Sequence, residues 1–255
     1  MNVLATYSIK GGVGKTAAAV NLACLAARDG YRTLLWDLDP QGAASFHFKI
    51  KPRVKGGIEK ILAKKGKLAG FIKETDFTGL DLLPADFSYR NMDLSLNGKK
   101  NPSGQIRKQL KPLRKDYEYV FLDCPPSISL VSENIFNAAD LLLVPLIPTP
   151  LSIRTYQQLL KYFRKNPLES VRILPFISMI DRRKQLHRET ISALIRQHYQ
   201  GLKAMVPYAS QVERMGIRRA PLVSYDRHSI PALAFENLWK EIKTHLRGAH
   251  PGPGP

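Results

Sequence analysis

Apolar positions along the chain follow two rhythms. Short runs rich in β-branched and aliphatic residues read as strands: Val3 to Ser8, Thr33 to Asp37, Leu80 to Pro84, Tyr119 to Asp123, Leu141 to Leu146 and Val171 to Ser178. Stretches with apolar residues at helical spacing separate them, beginning with an Ala-rich run after Thr16. Strands alternating with helices predict an α/β fold, a three-layer, mostly parallel twisted sheet flanked by helices. Ligands of such sheets collect at the carboxyl ends of the strands.

Three segments depart from this rhythm. Residues 47–78 predict a peripheral helical insertion in which Ile58, Ile61, Leu62, Leu68, Phe71 and Ile72 cover the sheet, while Lys49, Lys51, Arg53, Lys55, Lys60, Lys64, Lys65 and Lys67 face water. Pro231 to Arg247 predicts a helix whose Leu233, Phe235, Leu238, Trp239, Ile242 and Leu246 form a docking face. Residues 248–255 are dominated by Gly and Pro and are expected to be a disordered tail, which leaves residues 1–247 as a single domain.

Composition narrows the function. The 255 residues carry a net charge of +18, unevenly spread. Lys and Arg number 4 against 3 acids in residues 1–44 and 17 against 6 in 45–115; they are 0 against 5 in 116–150 and 18 against 7 in 151–255. The middle and C-terminal thirds thus form a cationic exterior suited to a polyanion, either nucleic acid or an anionic membrane. No apolar stretch approaches the roughly 20 residues that cross a bilayer, and the first strand leaves no room for a cleavable signal, so the expected location is cytoplasmic. Cys24 and Cys124 are too few for a disulfide framework or a multi-cysteine metal site and read as small buried residues.

The chemistry is concentrated in three segments. Lys10-Gly11-Gly12-Val13-Gly14-Lys15-Thr16 lies between the first strand and the Ala-rich helix. Its backbone N–H groups and the positive helix end make a cradle for a triphosphate, with Lys15 on the β/γ-phosphates and the Thr16 hydroxyl on Mg²⁺. Asp37-Leu38-Asp39-Pro40-Gln41-Gly42 follows the second strand, with Asp37 and Asp39 on the same side of the extended chain. Tyr119 to Asp123 is an apolar strand ending in an acid, and Cys124-Pro125-Pro126 forces an abrupt exit from the sheet.

These segments resemble the ParA/MinD family of deviant Walker A P-loop ATPases, on the side of the ParA (Soj)-type partition ATPases. Leu80 to Ala85 and Ala138-Ala139-Asp140 extend the likeness, as do Met179 to Arg183 and Met205-Val206-Pro207 toward the C-terminus. The resemblance implies ATP and Mg²⁺ as cofactors. It assigns Lys10 to the partner's nucleotide across a dimer interface and Asp39 to the attacking water, with Lys15 as the third catalytic residue. Asp37 belongs either to the magnesium shell or to holding the loop, and Asp123 anchors the metal together with Thr16. Lys10 to Ala17 would bind the phosphates, and Asp181 and Pro207 would sit by the adenine. Ala17 stands where many relatives carry a second hydroxyl near the α-phosphate.

The implied function is a slow ATPase that dimerises on ATP and then binds DNA non-specifically. Hydrolysis, accelerated by a ParB-like or other adaptor protein, releases it from the nucleoid. Arg182, Arg183, Lys184, Arg188, Arg218 and Arg219 are the DNA-binding candidates. A MinD-like ATPase on a membrane surface is the alternative and would require the Pro231–Arg247 helix to be an amphipathic anchor. A relative with a cysteine-held cluster is a third class, for which two separated cysteines are a poor ligand supply.

Overall fold

The computed structural model describes residues 1–63, 68–168, 171–197 and 199–247. The expected tail at 248–255 and Lys64, Lys65 and Lys67 lie outside the described residues. Eight strands form one sheet: β1 (Asn2–Thr6), β2 (Thr33–Asp37), β3 (Lys73–Glu74), β4 (Leu80–Leu83), β5 (Tyr119–Asp123), β6 (Leu141–Leu146), β7 (Arg172–Ile180) and β8 (Met205–Pro207). Their order is β3-β4-β2-β5-β1-β6-β7-β8. Every pairing is parallel except β3 with β4, which is antiparallel at the edge. The expected fold class is the one observed.

Central strands are buried on both faces, which explains their uninterrupted apolar runs. One face, with Leu4, Leu35 and Phe121, packs against α1 (Lys15–Arg28) and the helix Ile230–Arg247. Alanines at 18, 19, 23, 26 and 27 are buried along α1, and their small size lets that helix approach the sheet closely. Trp239 meets Tyr119 edge-on at 5.2 Å, and its indole N–H donates to Asp29 at 2.9 Å. Phe235, Leu238, Trp239, Ile242 and Leu246 are all buried, so this helix spends its apolar face on the sheet as expected; only Leu233 of the predicted face is exposed. The opposite sheet face, with Val3, Leu34, Trp36 and Val120, is covered by residues 54–62, by 89–113 and by the helices Leu130–Ala138 and Pro150–Lys165.

The insertion differs from expectation. Its only helix in the described part is Gly57–Ile61, followed by a 3₁₀ turn at Leu68–Phe71 and then β3. Gly56, at φ 86°, caps that helix and Gly57, at φ 60°, opens it, so it cannot extend toward the N-terminus. Its apolar residues nonetheless cover the sheet: Ile58, Ile61, Leu62 and Leu68 are buried beside Trp36 and Leu83.

Candidate functional site

β1, β5 and β2 stand side by side in the sheet, and register sets Thr6 opposite Asp123 and Asp123 opposite Asp37. Three polar side chains from distant parts of the sequence thus form a row at the strands' carboxyl ends, on the face toward α1. All three are fully buried. The loop after β1 runs over this row, with Gly12 and Gly14 at φ 69° and 91°. Both lie in the left-handed region, where a Cβ is disfavoured, and a Cβ on Gly14 would come within 2.8 Å of the Ser178 hydroxyl.

Lys15 opens α1 and is buried, with its ammonium donating to the Lys10 carbonyl at 3.3 Å. Burial lowers its pKa, and the nearby Asp123 works in the opposite direction. The Lys10 ammonium has no hydrogen-bond or ion-pair partner among the described residues.

The two aspartates of the row are differently occupied. Asp37 Oδ2 accepts from the Ser45 N–H and hydroxyl, both at 2.8 Å, and Oδ1 accepts from the Asp39 N–H at 3.3 Å. Ser45 Oγ in turn accepts from the Ala85 N–H at 3.0 Å. Asp37 therefore ties together the loop after β2, the turn Ala43–His47 and the end of β4, although burial still raises its pKa to about 6. Among the described residues Asp123 takes one long contact, from the Thr6 hydroxyl at 3.5 Å, and its Oδ2 is buried without a partner. Burial and then the charge of Asp37 push its pKa well up, while the Thr16 hydroxyl and Lys15 pull it down.

A buried carboxylate oxygen without a donor, beside a hydroxyl, fits a divalent cation. Among the described residues no group of three or more His, Cys, Asp or Glu side chains surrounds a metal. That suits Mg²⁺, which takes one or two protein oxygens and completes its shell from phosphate and water.

Asp39 is partly exposed and accepts from the Gln41 N–H at 3.0 Å, in a local turn. On the other side of β1, the Tyr7 hydroxyl donates to the Ser127 carbonyl at 2.7 Å and fixes the loop that leaves β5. Cys124 and Cys24 are buried thiols whose pKa burial raises, to about 11 for Cys24.

Beside the loop lies a cavity of about 180 Å³, lined by Gly12, Gly14, Ala17, Met179, Val206 and Pro207 among others. β7 makes it possible. Its register slips between Ile177 and Ile180, with Met179 at φ 54°, and the resulting bulge carries Ser178 against the loop, where its hydroxyl donates to the Val13 carbonyl at 2.8 Å. Sequence reasoning ended this strand at Ser178 and missed that contact, because only the pairing of β6 with β7 brings it to the loop. Asp181 does not line the cavity. Its carboxylate accepts from Arg183 Nε and Nη2, each at 3.0 Å, and these bonds lower its pKa to about 2.

The basic candidates divide accordingly. Arg183 is paired with Asp181. Arg188 donates to the carbonyls of Arg182 and Arg183 while staying exposed. Arg182, Lys184 and Arg218 are exposed. Arg219 sits at φ 50°, donates to the Phe46 carbonyl at 3.0 Å and lies over the Phe46 ring at 4.6 Å. Arg219 thereby joins the turn Ala43–His47 to the segment Met215–Arg218.

Known proteins resemble this chain in sequence and in fold. The chain is 29% identical to the chromosome partitioning protein ParA of Caulobacter vibrioides, over 97% of this chain and 96% of that one. It is 28% identical to the sporulation initiation inhibitor protein Soj of Bacillus subtilis, over 94% and 97%. Two solved structures share the fold. One is a plasmid partition protein of Borrelia burgdorferi bound to AMPPNP, at TM-score 0.83 and 21% identity over 96% of this chain and 99% of that one. The other is cobyrinic acid a,c-diamide synthase of Mycobacterium smegmatis with ADP and magnesium, at TM-score 0.80 and 24% identity over all of both chains. The AAA_31 family, described as an AAA domain, matches residues 1–172. With that match, a deviant Walker A loop at Lys10–Thr16 and full-length likeness to ParA and Soj, the chain belongs to the ParA-type P-loop ATPases of the AAA_31 family.

Proposed function

We propose that this protein is an ATP-driven positioning switch. It pairs with a second copy on binding ATP, holds DNA without sequence preference, and lets go when hydrolysis ends the pairing, so as to partition DNA or move a protein cargo. The observation that carries this reading is Lys10: Lys15 is turned into its own loop, whereas the Lys10 ammonium finds no partner among the described residues. Two lysines in one phosphate loop have divided roles, one for this protomer's triphosphate and one available to another's.

The reaction needs charge neutralisation and a placed water more than covalent help. Lys15, desolvated and held at the helix start, meets the β/γ-phosphates, and Asp39 orients the attacking water. Thr16 and Asp123 would hold Mg²⁺, which when bound neutralises phosphate charge. Asp37 keeps the loop in shape, the second of its two possible roles. The Met179, Val206 and Pro207 side chains offer an apolar slot for the base. Asp181 would reach the nucleotide only by loosening its hold on Arg183.

Relatives named for chromosome partitioning support DNA as the polyanion. Among the described residues no helix is long and apolar enough to cross a membrane, and the helix Ile230–Arg247 buries the face a surface anchor would need. The proposed place of action is the cytoplasm, on the nucleoid, with a ParB-like or other adaptor accelerating hydrolysis.

The test is DNA binding with ATP, with ADP and without nucleotide. Lys15→Ala is expected to lose nucleotide, Lys10→Ala to bind ATP as a monomer, and Asp39→Ala to stay on DNA after ATP is supplied. Equal behaviour of the three variants, or DNA affinity indifferent to ATP in the parent, would overturn the reading.

A further inference from the structure

A long run of positive charge without a single acid lies away from the nucleotide loop. Residues 94–115 contain seven Lys or Arg and no acid. Six of the seven, Lys99, Lys100, Arg107, Lys108, Lys111 and Arg114, line one open groove of about 790 Å³. Among the described residues none of these six cations makes an ion pair. Arg107, Lys111 and Arg114 follow one another at i, i+4 and i+7 along the helical segment 105–115, so they form a stripe whose members repel.

The groove has a built wall. Asn134, fully buried, accepts from the backbone N–H groups of Gln105 at 2.8 Å and Ile106 at 3.2 Å, and donates to the Pro102 carbonyl at 2.8 Å. The buried Gln105 amide donates to the carbonyls of Lys100 and Asn101 at 3.0 and 2.8 Å. Asn101 is held at φ 59°, a left-handed conformation that costs energy in a non-glycine residue. Buried amides thus hold the charged loop in a fixed shape against its own repulsion.

We propose that this groove is a second contact for the phosphodiester backbone of duplex DNA, one that needs neither ATP nor a partner copy. The inference rests on the reading of DNA as the polyanion. Three features single out that occupant. Among the described residues no aromatic side chain lines the groove, so they offer no platform for the unstacked bases of a single strand. Among the described residues the sole apolar lining residue is Leu62, itself buried, so they offer a peptide no pocket for an anchoring side chain. Affinity must come from charge alone, which is how a repeating phosphate backbone binds through counterion release.

Independence from ATP follows from position. The described lining residues are Leu62 and others between Lys99 and Arg114, outside the loop Lys10–Thr16. The elements behind them pack on the sheet face of Val3 and Trp36, whereas Met215 and Leu222, which flank Arg218, pack on the face of α1. The Arg218 surface and the groove therefore lie on opposite sides of the sheet.

The experiment titrates the full chain with a short fluorescent duplex at several salt concentrations, with ATP and with no nucleotide. It compares the parent, the triple variant Arg107→Gln/Lys111→Gln/Arg114→Gln and Arg218→Gln. Without nucleotide, the parent is expected to bind at low salt, and the triple variant to lose about 2 to 3 from the log–log salt slope, roughly one per contact removed. Arg218→Gln should instead lose the increment that ATP adds. ATP affinity, measured in parallel, should match the parent in both. An unchanged slope in the triple variant overturns the proposal, as does a nucleotide-free parent that binds sodium polyglutamate but no duplex. A parent that binds DNA only with ATP overturns this inference and leaves the switch standing; a parent that binds no DNA in any state removes both.

Discussion

Ser45 shows how much of the site depends on residues that carry no chemistry. Its hydroxyl donates to Asp37 and accepts from the Ala85 N–H, so one small side chain joins the loop after β2 to the end of β4. Ser45→Ala leaves a buried carboxylate and a buried backbone N–H each short of a partner. The expected loss is about 1–3 kcal/mol in urea unfolding of the nucleotide-free protein. Gly14 makes the complementary case, since at φ 91° it also faces Ser178. Gly14→Ala combines a left-handed alanine with a collision, whereas Gly14→Ala/Ser178→Gly removes the collision together with the Ser178–Val13 hydrogen bond and keeps the backbone cost. If both effects operate, the double variant recovers part of the nucleotide affinity, remaining weaker than the parent by the roughly tenfold that 1–2 kcal/mol represents. Full recovery, read by titration with a fluorescent ATP analogue, would mean that the backbone conformation costs nothing.

Elements of the candidate site were legible in the sequence because each is local. Lys15, Thr16, Asp37 and Asp123 all sit directly at the end of an apolar strand or the start of a helix, where periodicity marks them. Ser178, Asn134 and Arg219 were not, because their roles arise from pairing or packing between segments far apart in the chain. Residues 47–78 were misjudged for a related reason: helical spacing of apolar residues described their burial correctly, but a pair of glycines and an antiparallel edge strand set their backbone. Arg219 is the instructive residue. Its charge suggested DNA, yet its guanidinium bonds the Phe46 carbonyl and covers the Phe46 ring. Arg219→Ala should therefore lower thermal stability and leave the salt slope of DNA binding unaltered, whereas Arg218→Ala should lower the slope by about 1 and leave stability alone. A slope change of that size for Arg219→Ala would restore it to the DNA surface.

At the scale of the whole molecule, the charge distribution makes association an electrostatic problem. A protomer with a formal charge of +18 repels its copy, and nothing within the described residues pairs the Lys10 ammonium. A triphosphate at each loop adds negative charge where two copies would meet and gives each Lys10 an anion to approach. Pairing should then depend on nucleotide charge and on Lys10 together. In sedimentation velocity with a non-hydrolysable ATP analogue and Mg²⁺, the parent is expected to shift to a dimer, with ADP leaving it monomeric. Lys10→Ala should remain monomeric in both while keeping its affinity for the analogue, since Lys15 still serves its own loop. Added salt separates two contributions. It weakens the general repulsion between exposed cations more than a contact buried between two loops, so moderate salt should favour the analogue-bound dimer while it removes DNA. A dimer that dissolves at the same salt concentration as the DNA complex would mean that the copies are held by their exposed charges and not by the shared phosphates.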